Sequence, residues 1–435
     1  MIDKLVLFGA LPFGLVFSLA TNTRLSSLPL GVGELSLCIA LLYLIGRLWL
    51  RQEVSWSIVI KYLVILVFLS LCSISFGTLI NKFFNIHTPL NFWHDAFAYT
   101  FVLVLFNVIL VTPITKVDAK RIIYATFVFS SAYLFALCLL ALFAPSMFGG
   151  LWHNGGVRLA GLSSNPNQFG LLLLLMPFWG FLILWSARIT RDRKLMKAFV
   201  FLSIILTITA GWLTMSQALQ IPWISFFFIY LMFVVGSLRS KQFEQVTFSF
   251  SVLGSVIISL LLAEWIKVAL SKCRNCFGIV VERNIEILVE NLRYRTDEVI
   301  FFDAGVRLDL LNNGVNAFMQ SPIFGLGPGS FSGVNAPFMG SEAHNSLIDW
   351  LASFGVIGTL LLVALSLLII YFLGKEKSWV LLGAFLALGF FSMCHHIMRH
   401  PIVWVYACLL LKCCISEKKT FISFTRLAYF KRLRG

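Results

Sequence analysis

Three short segments of the chain carry side chains able to move a proton or hold an anion. In GLGPGSFSGVNAPFMGSEAHNSLIDWLASFGVIG, residues 325–358, His344 and Asn345 stand immediately before a long apolar run. A residue at a helix start feels the positive end of the helix dipole, which favours neutral imidazole, the form a general base requires. The bland alternative is a histidine that only satisfies loop carbonyls. In LWHNGGVRLAGLSSNPNQFG, Arg158 is the only Asp, Glu, Lys or Arg between Arg121 and Arg188. Its guanidinium either snorkels to lipid headgroups or grips an anion through paired N–H groups. Arg307, in AGVRLDLLNNGVNAFMQ, is a second candidate anion ligand, for which Asp303 and Asp309 compete as ion-pair partners. Asn165 and Pro166 read as the N-cap and first residue of a helix; Asn167 has less structural reason to be polar and is either a substrate ligand or simply exposed. Ser346 to Asp349 has capping-box spacing, so Asn345 and Ser346 also read as caps. Gly325, Gly327 and Gly329 do not make a dinucleotide site, because no strand precedes them; Pro328-Gly329 reads as a turn.

The elements that must position these residues are membrane spans. Of 435 residues, 59% are hydrophobic and 12% charged, with mean hydropathy +0.91, against about 25% charged in an ordinary soluble domain. The chain reads as an all-α polytopic membrane protein. Apolar runs near the ~20 residues needed to cross a bilayer place about twelve spans, near 5–22, 28–46, 57–78, 94–112, 122–144, 168–187, 198–214, 217–237, 246–266, 346–373, 378–396 and 401–415. Basic residues accumulate in cytoplasmic loops. With the N-terminus inside, one side collects Arg47 and Arg51, Lys116 to Arg121, Arg188 to Lys197, Arg239 and Lys241, Lys375 and Lys377, and the tail from Lys412 to Arg434. Both termini are then cytoplasmic, and the net charge of +15 follows largely from topology without a nucleic-acid partner. The tail mixes aromatics with cations and reads as lying on the inner membrane surface. The first apolar run lacks a clear cleavage site and reads as a span.

Two long connections face outward, about 145–167 and a large loop, 267–345, before the tenth span. Within the second, Ile285, Leu288, Val289 and Leu292 keep helical spacing and suggest a lid. Most of the nine cysteines fall in spans and read as small apolar residues. Cys273 and Cys276 lie in the outer loop, where a disulfide is permitted, but two cysteines are too few for a zinc site. His395, His396, Arg399 and His400, in the short turn before the last span, read as an interfacial anchor, with an anion site or proton pathway as alternatives.

RLAGLSSNPNQFG, followed about 150 residues later by GLGPGSFSG and EAHNSLIDWLASFGVIG, resembles the O-antigen ligase and O-antigen polymerase superfamily. The resemblance covers roughly residues 155–372. It implies metal-independent, inverting glycosyl transfer on the outer face of the bacterial inner membrane, without a cofactor, from a glycan on undecaprenyl pyrophosphate. The acceptor would be a lipid A-core sugar or a second lipid-linked glycan. It further implies that His344 activates the acceptor hydroxyl, that Asn345 lies beside the substrate, and that Arg158 and Arg307 hold the pyrophosphate. Many relatives carry Ser-Arg where this chain has Ser216-Gln217; the Gln217 amide can hydrogen-bond a phosphate but cannot offset its charge. A lipid-linked glycan flippase or other transporter is the competing class, for which Glu34 and Lys61 are the ionisable residues within spans.

Overall fold

The computed structural model describes residues 2–24, 31–51, 54–55, 57–84, 92–143, 151–153, 158–187, 194–214, 216, 218–220, 222–223, 298–329, 342–376 and 378–415. The spans drawn at 217–237 and 246–266, the amphipathic stretch 285–292, Cys273, Cys276, Gln217 and the basic tail fall outside these residues or nearly so. The described chain is helical apart from one two-residue strand pair. It begins with α1 (Ile2–Leu5), a π turn (Val6–Ala10) and α2 (Leu11–Phe17). Then come α3 (Val32–Arg51), α4 (Ile58–Phe83), α5 (Phe92–Val111) and α6 (Lys116–Phe143). Strands β1 (Trp152–His153) and β2 (Arg158–Leu159) pair antiparallel, with His153 opposite Arg158. The chain continues through α7 (Pro166–Ala187), α8 (Lys194–Leu213), α9 (Glu298–Gln320), α10 (Ser346–Lys375), α11 (Trp379–Cys394) and α12 (Pro401–Cys414).

Seven of these helices are long and apolar enough to cross a membrane, namely α3 to α8 and α10, and the shorter α11 and α12 are apolar too. This is a multi-pass membrane architecture. Its centre is α7, whose residues Leu171 to Met176 are all fully buried. A helix that is apolar all round belongs inside a bundle, and α6, α8 and α11 pack around it. On its other flank the bundle joins α4 to α10, and α12 to α5 and α6. Asn165 caps α7 as its sequence suggests, its Oδ1 accepting from the Asn167 N–H at 2.8 Å.

Contacts between distant segments define two ends. At one, the Asn22 N–H donates to the Leu162 carbonyl at 2.9 Å, Thr21 Oγ1 to Ser164 Oγ at 2.9 Å, and Ser346 Oγ to the His395 carbonyl at 2.8 Å. At the other, Lys412 Nζ donates to the Thr112 carbonyl and Lys116 Nζ meets Glu376 Oε2, both at 3.0 Å. The first is called the histidine end below, the second the lysine end. Glu34 pairs with Arg24 at the histidine end. Lys61 is exposed in the first turn of α4 near the lysine end.

One long helix is interrupted. In an unbroken α10 the N–H groups of Val356 and Ile357 would bond the carbonyls of Ala352 and Ser353. Instead those carbonyls accept from the Leu326 and Gly327 N–H groups at 2.8 and 3.0 Å. Val356 and Ile357 donate to the carbonyls of Pro322 and Ile323 at 2.8 and 3.2 Å. Gly355 makes the break with φ 63 and ψ −165, a region essentially restricted to glycine. The glycines read as a turn therefore serve backbone contact: a Cβ on Gly325 would lie 2.4 Å from the Ser353 carbonyl carbon, and one on Gly355 2.4 Å from the Ile323 oxygen. On the opposite side, Asn81 Nδ2 donates to the Leu326 carbonyl at 3.1 Å. Residues 322–327 are thus wedged between α4 and α10. At 1.5 Å per residue, Gly355 lies roughly 14 Å along α10, about half the ~30 Å hydrocarbon thickness. An unpaired peptide group there would cost several kcal/mol.

Gly355→Ala should lower the thermal midpoint of the detergent-solubilised protein and broaden its elution. The backbone region alone costs about 1–3 kcal/mol for a residue with a side chain, before any clash. Gly374, with open space where a Cβ would go, is the control: Gly374→Ala should leave both readings unchanged.

Candidate functional site

The segment before α10 is pinned on both sides of His344. The Ala343 N–H donates to Asp349 Oδ1 at 2.8 Å. Asn345 is the N-cap, its Oδ1 accepting from the N–H groups of Leu347 and Ile348 at 3.1 and 3.2 Å, while its Nδ2 reaches the Met393 carbonyl at 3.3 Å. Ser346, read as part of a capping box, instead sits inside the helix. Its hydroxyl donates to the His395 carbonyl and accepts from the Ile397 N–H at 3.0 Å. Asp349 likewise serves the loop backbone. Between these anchors His344 has φ 53 and is the one non-glycine residue with positive φ among the described residues. That conformation costs an L-residue roughly 1–2 kcal/mol, and such outliers persist where surrounding contacts over-determine them.

Around His344 lie residues from four segments. Arg399 joins Asp95 of α5 (Nη1 to Oδ1, 2.6 Å) to Glu342 through its Nη2. His94 Nδ1 lies 3.3 Å from the same Asp95 oxygen. His396 bridges Asp349 Oδ2, 3.1 Å from its Nδ1, and the Tyr99 hydroxyl, 2.9 Å from its Nε2. The side chains of His396 and Asp349 are wholly buried. Below them Trp350 stacks on Phe354 at 4.0 Å, and Tyr99 meets both edge-on. The His344 and His395 rings are nearly parallel with centroids 5.9 Å apart. Glu342, His344 and His395 each bring a ligand atom within 4.8 Å of the others.

Burial holds the His395 imidazole down to about 3, assisted by its electrostatic interaction with His344, His396 and Arg307. It is therefore neutral at any physiological pH, and Arg307 of α9 belongs to this electrostatic environment. His400 is pushed well below its usual value, first by burial and then by Arg399, His395, Arg24 and His396. The anchor reading of this turn does not hold: His395, His396 and His400 are 4%, 1% and 7% exposed, whereas a headgroup anchor must reach the membrane surface.

Arg158 and Asn167 form a second group at the same end. Arg158 is half-buried on β2, and its Nε donates to the Thr214 carbonyl at 3.0 Å. Asn167 Oδ1 accepts from Ser216 Oγ at 2.7 Å, and the Ser216 N–H donates to Thr214 Oγ1 at 3.2 Å. Arg158 is thus tied by its Nε to the backbone just after α8. Phe391 stands between the groups, 6.1 Å from the His395 ring and in contact range of Gly170, one turn beyond Asn167. Sequence reasoning missed Glu342 and Asp95, the contacts of Asp349 with the Ala343 N–H and His396, and the inward role of His395 and Arg399. The available signals were a carboxylate two residues before His344 and another at the start of an apolar run.

A neutral buried histidine opposes folding once the unfolded chain takes up a proton. His400 has a folded value below its unfolded ~6.5, so its stabilising contribution is full above pH 6.5 and falls as pH drops towards the folded value. At pH 5 the native chain should therefore be measurably less stable than at pH 7. His400→Asn keeps a good N-cap for α12 and cannot charge. Thermal unfolding at pH 7 and pH 5 should show a smaller acid loss in this variant than in the native chain; equal losses would assign the acid sensitivity elsewhere. Comparison of the chain with protein-family models and with curated proteins finds no match in either.

Proposed function

We propose that the protein is an extracytoplasmic, inverting glycan transferase of the O-antigen ligase or polymerase type, using a glycan carried on undecaprenyl pyrophosphate. The observation that carries this reading is the backbone of His344, held at φ 53 between two anchored residues. Beside it lie a carboxylate and a neutral imidazole, with Arg307 in the same electrostatic environment. In this reading the chain crosses the bacterial inner membrane about twelve times. Both termini are cytoplasmic, the histidine end faces the periplasm, and a large outer loop precedes the tenth span, although its residues 322–327 reach back between α4 and α10. The lysine end, with Lys116, Arg121, Lys375 and Lys412, then obeys the inside preference for basic residues.

The chemistry is a single displacement. The acceptor hydroxyl gives its proton to His344, its oxygen bonds the anomeric carbon, and the bond to pyrophosphate breaks with the electron pair on phosphate. Attack opposite the leaving group inverts the anomeric centre. Glu342, close to His344, stabilises the imidazolium that forms. Arg307 and Arg158 offset the negative charge growing on pyrophosphate, an effect greater in the transition state than before it. Asn167, Asn345 and Gln217 would contribute amides, although Asn167 and Asn345 already serve Ser216 and the α10 cap. The acceptor is lipid A-core sugar for a ligase and a second lipid-linked glycan for a polymerase, in lipopolysaccharide, capsule or exopolysaccharide biosynthesis.

One observation favours the competing transporter class: a helix broken near mid-depth, as in α10, is a common device for substrate sites. Against it, the displaced backbone groups at Gly355 are taken up by residues 322–327. Glu34 is paired at one end of the bundle and Lys61 is exposed near the other.

The test is purified protein in liposomes with undecaprenyl-pyrophosphate glycan and each acceptor in turn. Product on lipid A-core indicates a ligase and a ladder on lipid-linked glycan a polymerase. Absence of product while labelled donor crosses the bilayer would overturn the enzyme reading. His344→Ala should lower turnover about 10²–10⁴-fold with donor binding kept. Arg307→Ala should weaken binding and turnover together, with partial rescue by lysine.

A further inference from the structure

We propose that Glu342, His344 and His395 form a binding site for a divalent transition metal of the zinc type. Two imidazoles and one carboxylate are a ligand set that zinc uses with a fourth position left open. Magnesium and calcium prefer all-oxygen sites, and copper(I) prefers sulfur. Ligand atoms around tetrahedral zinc lie about 3.3 Å apart, from bonds of about 2.0–2.1 Å. The three groups begin within 4.8 Å of one another, and Glu342 and His344 are only half-buried, so modest side-chain rotation closes the site.

An independent feature points to a ligand. His395 is 4% exposed, and its Nδ1 is buried without a hydrogen-bond partner. Leaving such an atom unsatisfied is destabilising, and a metal bond would offset that cost. Arg399 holds Oε1 of Glu342, and a carboxylate has a second oxygen for an ion. Outer partners of this kind commonly orient metal ligands. Arg307 and Arg399 repel a cation, but Glu342, Asp95 and Asp349 supply three formal negative charges against these two positive ones. The sum does not oppose a divalent ion.

Metal occupancy would take the nitrogen that His344 needs as a base, so the two states exclude one another. That consequence rests on the transfer reading; the site itself does not. The experiment therefore uses no glycan: chelator-stripped protein in detergent is titrated with zinc alone, and then with cobalt. One zinc per chain should survive dialysis, and cobalt should give the visible absorption of a tetrahedral site. His395→Ala and Glu342→Gln should each weaken zinc binding by at least about tenfold. His395 is buried and its loss risks the fold, so His344→Ala is the second ligand variant, with thermal midpoints compared throughout. Cys414→Ser and the paired Cys273→Ser, Cys276→Ser change should leave binding unaltered. The proposal is overturned by absence of stoichiometric zinc, by zinc retained equally in His344→Ala and Glu342→Gln, or by zinc lost with the thiols. Glycan transfer assayed in chelator stands or falls separately.

Discussion

Backbone hydrogen bonds exchanged between residues 322–327 and α10 are the constraint on which the histidine end depends. In hydrocarbon no water replaces a lost partner, so α10 can unwind at Gly355 only because another stretch of chain supplies two donors and two acceptors. The half of α10 before the break, Ser346 to Phe354, becomes a short rigid block. Its lower end is fixed by this exchange, its upper end by Asn345, Ser346 and Asp349, and its flank by Trp350 and Phe354 against Tyr99. Residues 322–327 are synthesised before their partners at 352–357. The exchange, and with it the seat of His344, closes only after α10 has entered the bundle.

Charge completes what the backbone begins. Asp95, Arg399 and Glu342 connect α5, the turn before α12 and the segment before α10, while Tyr99, His396 and Asp349 connect α5, the same turn and the first turn of α10. Removing Arg399 from the buried Asp95 carboxylate leaves an uncompensated charge at a cost of about 3–5 kcal/mol. The exposed Lys116 and Glu376 pair at the other end is screened by solvent and contributes little. Rigidity is therefore concentrated where His344 sits.

The sequence made some of this legible and hid the rest for physical reasons. Uniform apolar runs are a one-dimensional signal, so α3 to α8 and α10 fall where hydropathy put spans. The caps Asn165 and Asn345 are local chemistry and were readable. The break at Gly355 was not, because glycine is common inside membrane helices and its partners lie some thirty residues away. Arg399 was read as an anchor because its carboxylate partners, Asp95 and Glu342, come from distant segments. The 395–400 turn is short and basic, and only its burial distinguishes it from an anchor.

Helix α7 carries a different consequence. Of its apolar stretch Pro166–Ile183, 83% is buried, against 28% to 50% for the other spans. A helix that touches little lipid is insulated from bilayer thickness, and the adjustments to a thinner or thicker membrane fall on the outer helices such as α3, α4 and α10. The level of Asn167 and of the Thr214 to Ser216 segment bound to it is then set by protein packing. Lipid composition can tilt the periphery of the molecule while this central post keeps its depth.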